Sequence, residues 1–541
     1  MNYFKYIDFT KISNFNLEKF VTDWWKNLDS CAKKSFIWMF SIINIVFLWH
    51  TVTFFFGNHD WGHIRHGINL GWSMFDGRWG AGILQQVVAG EIFPVLNNLF
   101  CFSGFCFAMI ALAKYWKLPK STMVYTVFGL FIMLLPYTYP WLQFVRSETH
   151  FWNILIIIWG LMLADKGKTY FQLIAFVLFV FSMGCYGTTI EAMVSIFLGK
   201  CLLDIVFDYD NFKDFCQKHY KPILNISVSF VVYVIIYKAL SYRYPPAYTS
   251  DIVNIRTFWE NILNLPHYIV ALFICKATYM PPLFKMLLGL SFPISLFCVA
   301  KKKLNELLLI LLIFVALILS SQIIQILSVT DFSNQLRVDF FSMPYIYATG
   351  WAVLLRQKEN IWKSIALFFM AIAICYSTLQ AFRDQKFKYF DFQVDMKMFD
   401  DIRARIKASP NFSPDKMYRL LIIECVRDQV SYFDNFNGDT EWSWNNWVSF
   451  VPAWNARDFF NFYEIKPFIS VSYHTWKELL SYGRPTSDEI YYITNTAKAW
   501  PDANSISIVG DIIYIVISQK ELDNFKKELK KLGYINSEIQ E

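Results

Sequence analysis

Residues 304–328, LNELLLILLIFVALILSSQIIQILS, decide the fold class, because the only charge in the run is Glu306. As a helix rising about 1.5 Å per residue, it is longer than the roughly 30 Å hydrocarbon layer of a bilayer. A helix on a soluble core keeps a polar face, and this run has none over most of its length. Working outward, comparable apolar runs lie near 36–56, 95–114, 122–141, 150–166, 169–186, 188–206, 222–240, 283–300, 340–356 and 361–380. The expectation is therefore a polytopic α-helical membrane protein of about eleven transmembrane helices.

Composition agrees. Of 541 residues, 55% are apolar and only 17% charged, with a mean hydropathy of +0.32. Soluble domains carry about 25% charged residues, so disorder, a collagen-like fibre and a single soluble enzyme are all excluded. The polar residues are unevenly spread. From Lys386 onward the chain has 19 basic and 22 acidic residues, an ordinary soluble balance, whereas the first 385 residues carry a net charge of +10. That excess sits in short clusters beside apolar runs, which is a mark of membrane topology and gives no nucleic-acid-binding face. Most of the ten cysteines lie in apolar runs, and no disulfide framework or zinc spacing is present.

Lys33–Lys34, Lys114–Lys120, Lys166–Lys168, Lys213–Lys221, Lys301–Lys303 and Arg356–Lys358 fall at every second crossing, so all can be cytoplasmic together. An odd number of spans then puts the tail outside. Three domains are expected: an interfacial amphipathic segment over 1–32, a transmembrane domain over 33–385, and a small outer α/β domain over 386–541; the resemblance given below makes the second catalytic and the third periplasmic. In the tail, 391–408 has helical spacing, Tyr418–Val426 has the pattern of a buried strand, and Ile506–Ser518 suggests two strands around Gly510-Asp511. Two outer loops are long, 57–94 and 241–282. The second contains an amphipathic stretch, Phe258, Trp259, Ile262 and Leu263, suited to lie on the membrane as a lid.

The first outer loop concentrates the chemistry. It runs Gly57-Asn58-His59-Asp60-Trp61-Gly62-His63-Ile64-Arg65-His66, then Gly71-Trp72 and Asp76-Gly77-Arg78-Trp79. A carboxylate at a membrane exit can take the proton of an acceptor hydroxyl, and an arginine can hold a lipid-borne phosphate by charge-assisted hydrogen bonds. Asp60 is the candidate base, with a turn-capping role as its alternative. His59, His63 and His66 could ligate a metal or simply lie at the interface. Elsewhere, Arg146 and Glu148 occupy a short outer loop, as solvated charges or as acceptor-side supports. Glu191 lies at the outer end of an apolar span within Tyr186-Gly187-Thr188-Thr189, facing a cavity or serving as a structural hydrogen-bonded carboxylate. Arg337, between Asp331 and Asp339, is a phosphate clamp or an ion-pair partner. Trp442, Trp444, Trp447 and Trp454 could stack on sugars or build the tail's core.

The loop from His59-Asp60-Trp61 through Gly71-Trp72 to Asp76-Gly77-Arg78-Trp79 resembles the Gtr type II family of bacterial O-antigen glucosyltransferases, the serotype-converting enzymes. It is strongest over the first hundred residues and architectural beyond them. The resemblance implies a GT-C-like, inverting glycosyltransferase of the bacterial inner membrane. Such an enzyme moves a hexose, most often glucose, from an undecaprenyl-phosphate-sugar donor to a lipid-linked glycan acceptor such as O-antigen lipopolysaccharide on the periplasmic side. It implies a catalytic Asp60, with a single carboxylate or an assisting His59, Glu191 or Glu148 both open, donor-phosphate binding by Arg78, Arg337 and Arg65, and supporting roles for His59, Trp61, Trp72, Arg146 and Glu148. The family often pairs two acids where this chain has His59 before Asp60. Membrane lipid is an implied partner, with a donor synthase and a flippase as further ones. No cofactor is expected, a divalent cation being the open option.

Two other classes remain. A polyprenyl-linked glycan transporter would show matched halves with broken helices and midplane charges. A membrane acyltransferase would use His150 or His66 with a partner acid.

Overall fold

The computed structural model describes residues 29–52, 78–88, 94–143, 148–209, 212–243, 255–274, 280–299, 304–327, 336–416, 418–423, 480 and 485–535. Each of the eleven apolar runs overlaps a helix. Among the described residues, five helical stretches are long and apolar enough to cross a membrane: Val95–Tyr115, Lys213–Arg243, Pro282–Val299, Glu306–Leu327 and Asn360–Lys386. Shorter apolar helices accompany them over Thr122–Leu134, Thr149–Ala164, Thr169–Cys185 and Met343–Leu355.

In chain order, α1 is Ser30–Val46, α2 Leu48–Val52, α3 Trp79–Val88, α4 Pro94–Tyr115, α5 Thr122–Leu134, α6 Glu148–Ala164, α7 Thr169–Cys185, α8 Thr189–Phe207 and α9 Phe212–Arg243. There follow α10 Ile255–Ile274, α11 Pro282–Gly289, α12 Ser291–Val299, α13 Leu304–Leu319, α14 Ile323–Leu327, α15 Leu336–Asp339, α16 Met343–Leu355 and α17 Asn360–Ala408. Helix α8 is the centre of the bundle, buried almost all round, and packs on α13 and α16. Because it has no lipid face, it can carry Glu191, Lys200 and Asp204, whose desolvation would be costly against hydrocarbon. Apolar side chains such as Leu173, Val231, Leu312 and Phe368 are exposed on the outer helices, as a lipid-facing surface requires.

One end of the bundle is tied by charge. The Asp29 carboxylate caps α1 by accepting from Ala32 N–H at 2.8 Å, and it also pairs with Lys114 at the end of α4. Asp208 accepts from both Lys117 and Arg356, each at 2.9 Å. Asp204 pairs with Lys200 and lies 3.3 Å from His219, while Lys218 and Lys221 donate to the Asp165 and Gly167 carbonyls. Basic clusters from separate loops thus meet at a single end, the arrangement that their alternation along the chain predicted.

Four features differ from the sequence reading or refine it. Helix α1 starts at Ser30, so the expected boundary at 32/33 falls in its first turn. The long outer loop 57–94 contains α3. The second long loop contains α10, which Asn261 fastens to the Gln325 carbonyl at 3.0 Å while Trp259 and Leu263 stay exposed. Finally, α17 runs unbroken through residue 385, since no proline or glycine interrupts 360–408.

Helix α17 ends on the tail. Arg405 donates to the Asp502 carbonyl at 2.8 Å and lies over the Trp500 ring. There β1 (Arg419–Ile423), β2 (Ile506–Val509) and β3 (Ile512–Val516) form a sheet ordered β1-β3-β2, with β1 parallel and β2 antiparallel to β3. Gly510 supplies the positive φ of 62° at the turn between β2 and β3. The amphipathic α18 (Gln519–Lys531) covers one face with Leu522, Phe525 and Leu529.

Candidate functional site

At the end of the bundle away from the charge network, several chain breaks coincide. Helix α7 stops at Tyr186 and α8 begins at Thr189. The carbonyls at this turn accept side chains besides backbone N–H groups: Asn153 donates to the Ser182 carbonyl at 2.9 Å, and the Thr189 hydroxyl donates to the Tyr186 carbonyl at 2.7 Å. Such repair is what lets a break persist inside a membrane.

A second irregularity, one tightened helical turn at Ser320–Gln322, joins α13 to α14 within the single helical stretch Glu306–Leu327. Helix α8 bridges to it with one face. Glu191, fully buried, accepts the Ile324 N–H at 3.0 Å, and Ser195 meets Ser320 at 2.8 Å. Asp339 and Ser342 lie beside Glu191, at the junction of α15 and α16. One Glu191 carboxylate oxygen thus serves the tightened turn between α13 and α14.

Helix α3 docks on α7 without side chains between the backbones. Gly80 faces the Phe181 carbonyl and the backbone of Gly184 and Cys185, and the Trp79 ring lies against Gly184. Small residues at both contacts permit this approach. The docking places Arg78, immediately before Trp79, with its Cζ 4.8 Å from the centre of the Tyr186 ring. Tyr186 in turn stacks on Phe341 at 5.4 Å and meets the edges of Trp141 at 5.2 Å and His150 at 5.1 Å. His150 and Trp141 are in contact at 3.9 Å between ring centres.

The structure therefore gathers Arg78, Glu191, the first turn of α6 that begins at Glu148, and α15, which carries Arg337 and packs on the turn Pro136–Gln143. His59, Asp60, Trp61, Arg65, Trp72 and Arg146 lie outside the described residues. So do His63, His66 and the tail's Trp442, Trp444, Trp447 and Trp454. Among the described residues no group of three or more His, Cys, Asp or Glu side chains is placed to hold a metal ion. Sequence reasoning missed Tyr186, Trp141 and Phe341 as parts of this end. The signal for Tyr186 was a Tyr-Gly pair closing one span just before a glutamate opens the next.

The family described as Glucosyl transferase GtrII matches residues 40–355. This interval runs from within α1 to the end of α16 and includes Arg78, Tyr186, Glu191 and the turns at 186–189 and 320–322. No curated protein and no solved structure is matched by the chain. With its apolar helices and a family match over more than half its length, the chain belongs to the glucosyl transferase GtrII family, membrane glycosyltransferases that require a sugar donor and an acceptor.

Proposed function

We propose that the protein transfers a hexose, glucose by its family, from an undecaprenyl-phosphate-sugar to a lipid-linked polysaccharide such as O-antigen at the outer face of a bacterial inner membrane. In this reading eleven spans place the basic end in the cytoplasm, and the tail from about 386 outside, where it holds the acceptor glycan. A donor synthase and a flippase supply the substrates.

The chemistry sets what the site must do. The acceptor oxygen attacks the anomeric carbon, the bond from that carbon to the phosphate oxygen breaks with its electron pair, and the acceptor proton goes to Asp60. Displacement from the opposite face inverts the anomeric centre. As the sugar leaves, a phosphodiester with one negative charge becomes a monoester approaching two. Fixed cations near that oxygen stabilise the transition state more than the ground state. Arg78, Arg337 and Arg65 take that role, with His59, Trp61, Trp72, Arg146 and Glu148 lining the approach. Glu191, engaged by Ile324, holds the tightened turn between α13 and α14 rather than taking the proton.

The observation that supports this reading most is Arg78, held at the end of the bundle where α6, α7, α8 and α15 converge, in a chain of a glucosyl transferase family. The test supplies purified protein in lipid with radiolabelled undecaprenyl-phosphate-glucose and a lipid-linked glycan. A new glycosidic bond supports the proposal. Movement of labelled lipid across the bilayer with no bond formed would replace it with the transporter reading.

A further inference from the structure

Where α1 gives way to α2, at the end of the bundle away from the charge network, the helix is interrupted at one residue. Phe47, φ −102° and ψ 20°, stands between Val46 and Leu48 outside both helices. An unbroken helix would join the Val46 carbonyl to the His50 N–H. Here the side-chain amide of Gln385, on α17, stands between them. Its Nε2 donates to the Val46 carbonyl at 2.8 Å, and its Oε1 accepts the His50 N–H at 2.9 Å. Regular bonding holds on either side, from the Phe47 N–H to the Ile43 carbonyl at 2.9 Å and from the Thr51 N–H to the Phe47 carbonyl at 3.0 Å. One rung of the ladder is opened and filled.

A side chain inserted into a helix ladder bends the helix. Gln385 is buried, and its Nε2 also reaches the Ala381 carbonyl of its own helix at 3.1 Å, so the amide is held in register with α17. One turn on, Tyr389 meets Trp49 edge to face with ring centres 5.2 Å apart, a second grip on α2. Without Gln385, the Val46 carbonyl and the His50 N–H could bond to each other. The insertion therefore adds little to stability, and what it sets is direction.

Direction matters because of where α2 leads. Val52 ends it, and Asp60 follows eight residues later in the sequence. We propose that Gln385 is a positioning residue for the first outer loop, inserted into α1 so that α2 turns the chain toward the place where the acceptor is deprotonated. The proposal rests on the reading of Asp60 as the base. Gln385 touches no reacting atom and acts through the backbone at His50. Since α17 runs unbroken to Ala408, the same side chain ties that loop to the helix bearing the tail.

The test removes the amide and then restores the bend by other means. Gln385→Met keeps the outline of the side chain and removes both hydrogen bonds. The Val46 carbonyl and His50 N–H then close on each other, α1 and α2 become one straight helix, and the loop leaves in a different direction. In lipid-reconstituted protein kcat/KM should fall roughly tenfold or more, while the melting temperature stays within about 3 °C of wild type. Adding His50→Pro should return kcat/KM to within about threefold of wild type, because proline has no N–H and its ring pushes the Val46 carbonyl away, imposing the bend without the amide. His50→Ala in the same background controls for loss of the imidazole and should restore nothing. Wild-type kcat/KM in Gln385→Met, a melting loss beyond about 3 °C alongside the fall, or no recovery with proline would overturn the positioning role alone. Wild-type turnover in Asp60→Asn would remove the base reading and the proposal with it.

Discussion

Gly80→Ala puts the docking of α3 under direct test. A Cβ at residue 80 would lie 2.8 Å from the Phe181 carbonyl oxygen and 2.9 Å from both Cys185 N and the Gly184 carbonyl carbon, all backbone atoms. None of these can swing aside as a side chain would. Ordinary Cβ contacts begin near 3.4 Å, so α3 must retreat by about 0.6 Å, the difference between 3.4 and 2.8 Å. Overpacking of this kind costs about 1–3 kcal/mol. Arg78 stands two residues earlier, so the displacement reaches the guanidinium and lifts it from Tyr186. Misplacing a catalytic group by about 1 Å can cost on the order of a hundredfold in rate, so a ten- to hundredfold loss of kcat/KM is expected. The assay is hexose transfer in purified, lipid-reconstituted protein, with thermal melting alongside. Gly289→Ala is the control: nothing lies within 4 Å of its Cβ, and alanine should be neutral or stabilise α11 by up to about 1 kcal/mol. If Gly80→Ala matches Gly289→Ala in both activity and melting, the close approach of α3 to α7 is wrong.

Glu191→Gln retains an acceptor for Ile324 N–H and should keep turnover, while Glu191→Ala should lose about 1–3 kcal/mol of stability by orphaning that buried donor; a folded but inactive Glu191→Gln would make Glu191 the base. In the tail, the two-pronged pair with Arg419, at 2.8 and 3.0 Å, holds the Asp511 carboxyl below its ordinary range. A depressed folded pKa stabilises above the unfolded value and is lost as pH falls through the folded one. Asp511→Asn should therefore lower tail stability at neutral pH, by less than about 1 kcal/mol for so exposed a pair, and the difference should vanish in acid below the carboxylate range; a deficit that persists there would refute the assignment. With native cysteines replaced, a cysteine at Lys531 should react with a membrane-impermeant maleimide from the outer side of intact spheroplasts, and labelling only after lysis would reverse the topology.

The membrane-spanning elements were legible because their signal is additive: a run of apolar residues long enough to cross a bilayer needs no tertiary information. The strands at 419–423 and 506–516 were legible for a related reason, β-branched runs punctuated by Gly510-Asp511. What sequence could not give is where helices break and which pieces touch. Ser320-Ser321-Gln322 stands inside the most apolar run of the chain, and its tightened turn is met by Glu191, far away in sequence. Helix α3 was hidden because Gly80 and Gly82 weaken local helix propensity, and its stability comes from contact with Gly184. Arg78 stood out by residue type and motif, as a candidate only. Tyr186 did not, since its place depends on a contact across more than a hundred residues.

The central claim is that the carboxylate of Asp60 takes the acceptor proton as the sugar leaves its phosphate. Asp60→Asn, purified and reconstituted with undecaprenyl-phosphate-glucose and acceptor, tests it most directly. The account predicts that glycosidic bond formation is abolished while the fold and affinity for undecaprenyl phosphate are retained. Wild-type turnover in that variant would contradict it.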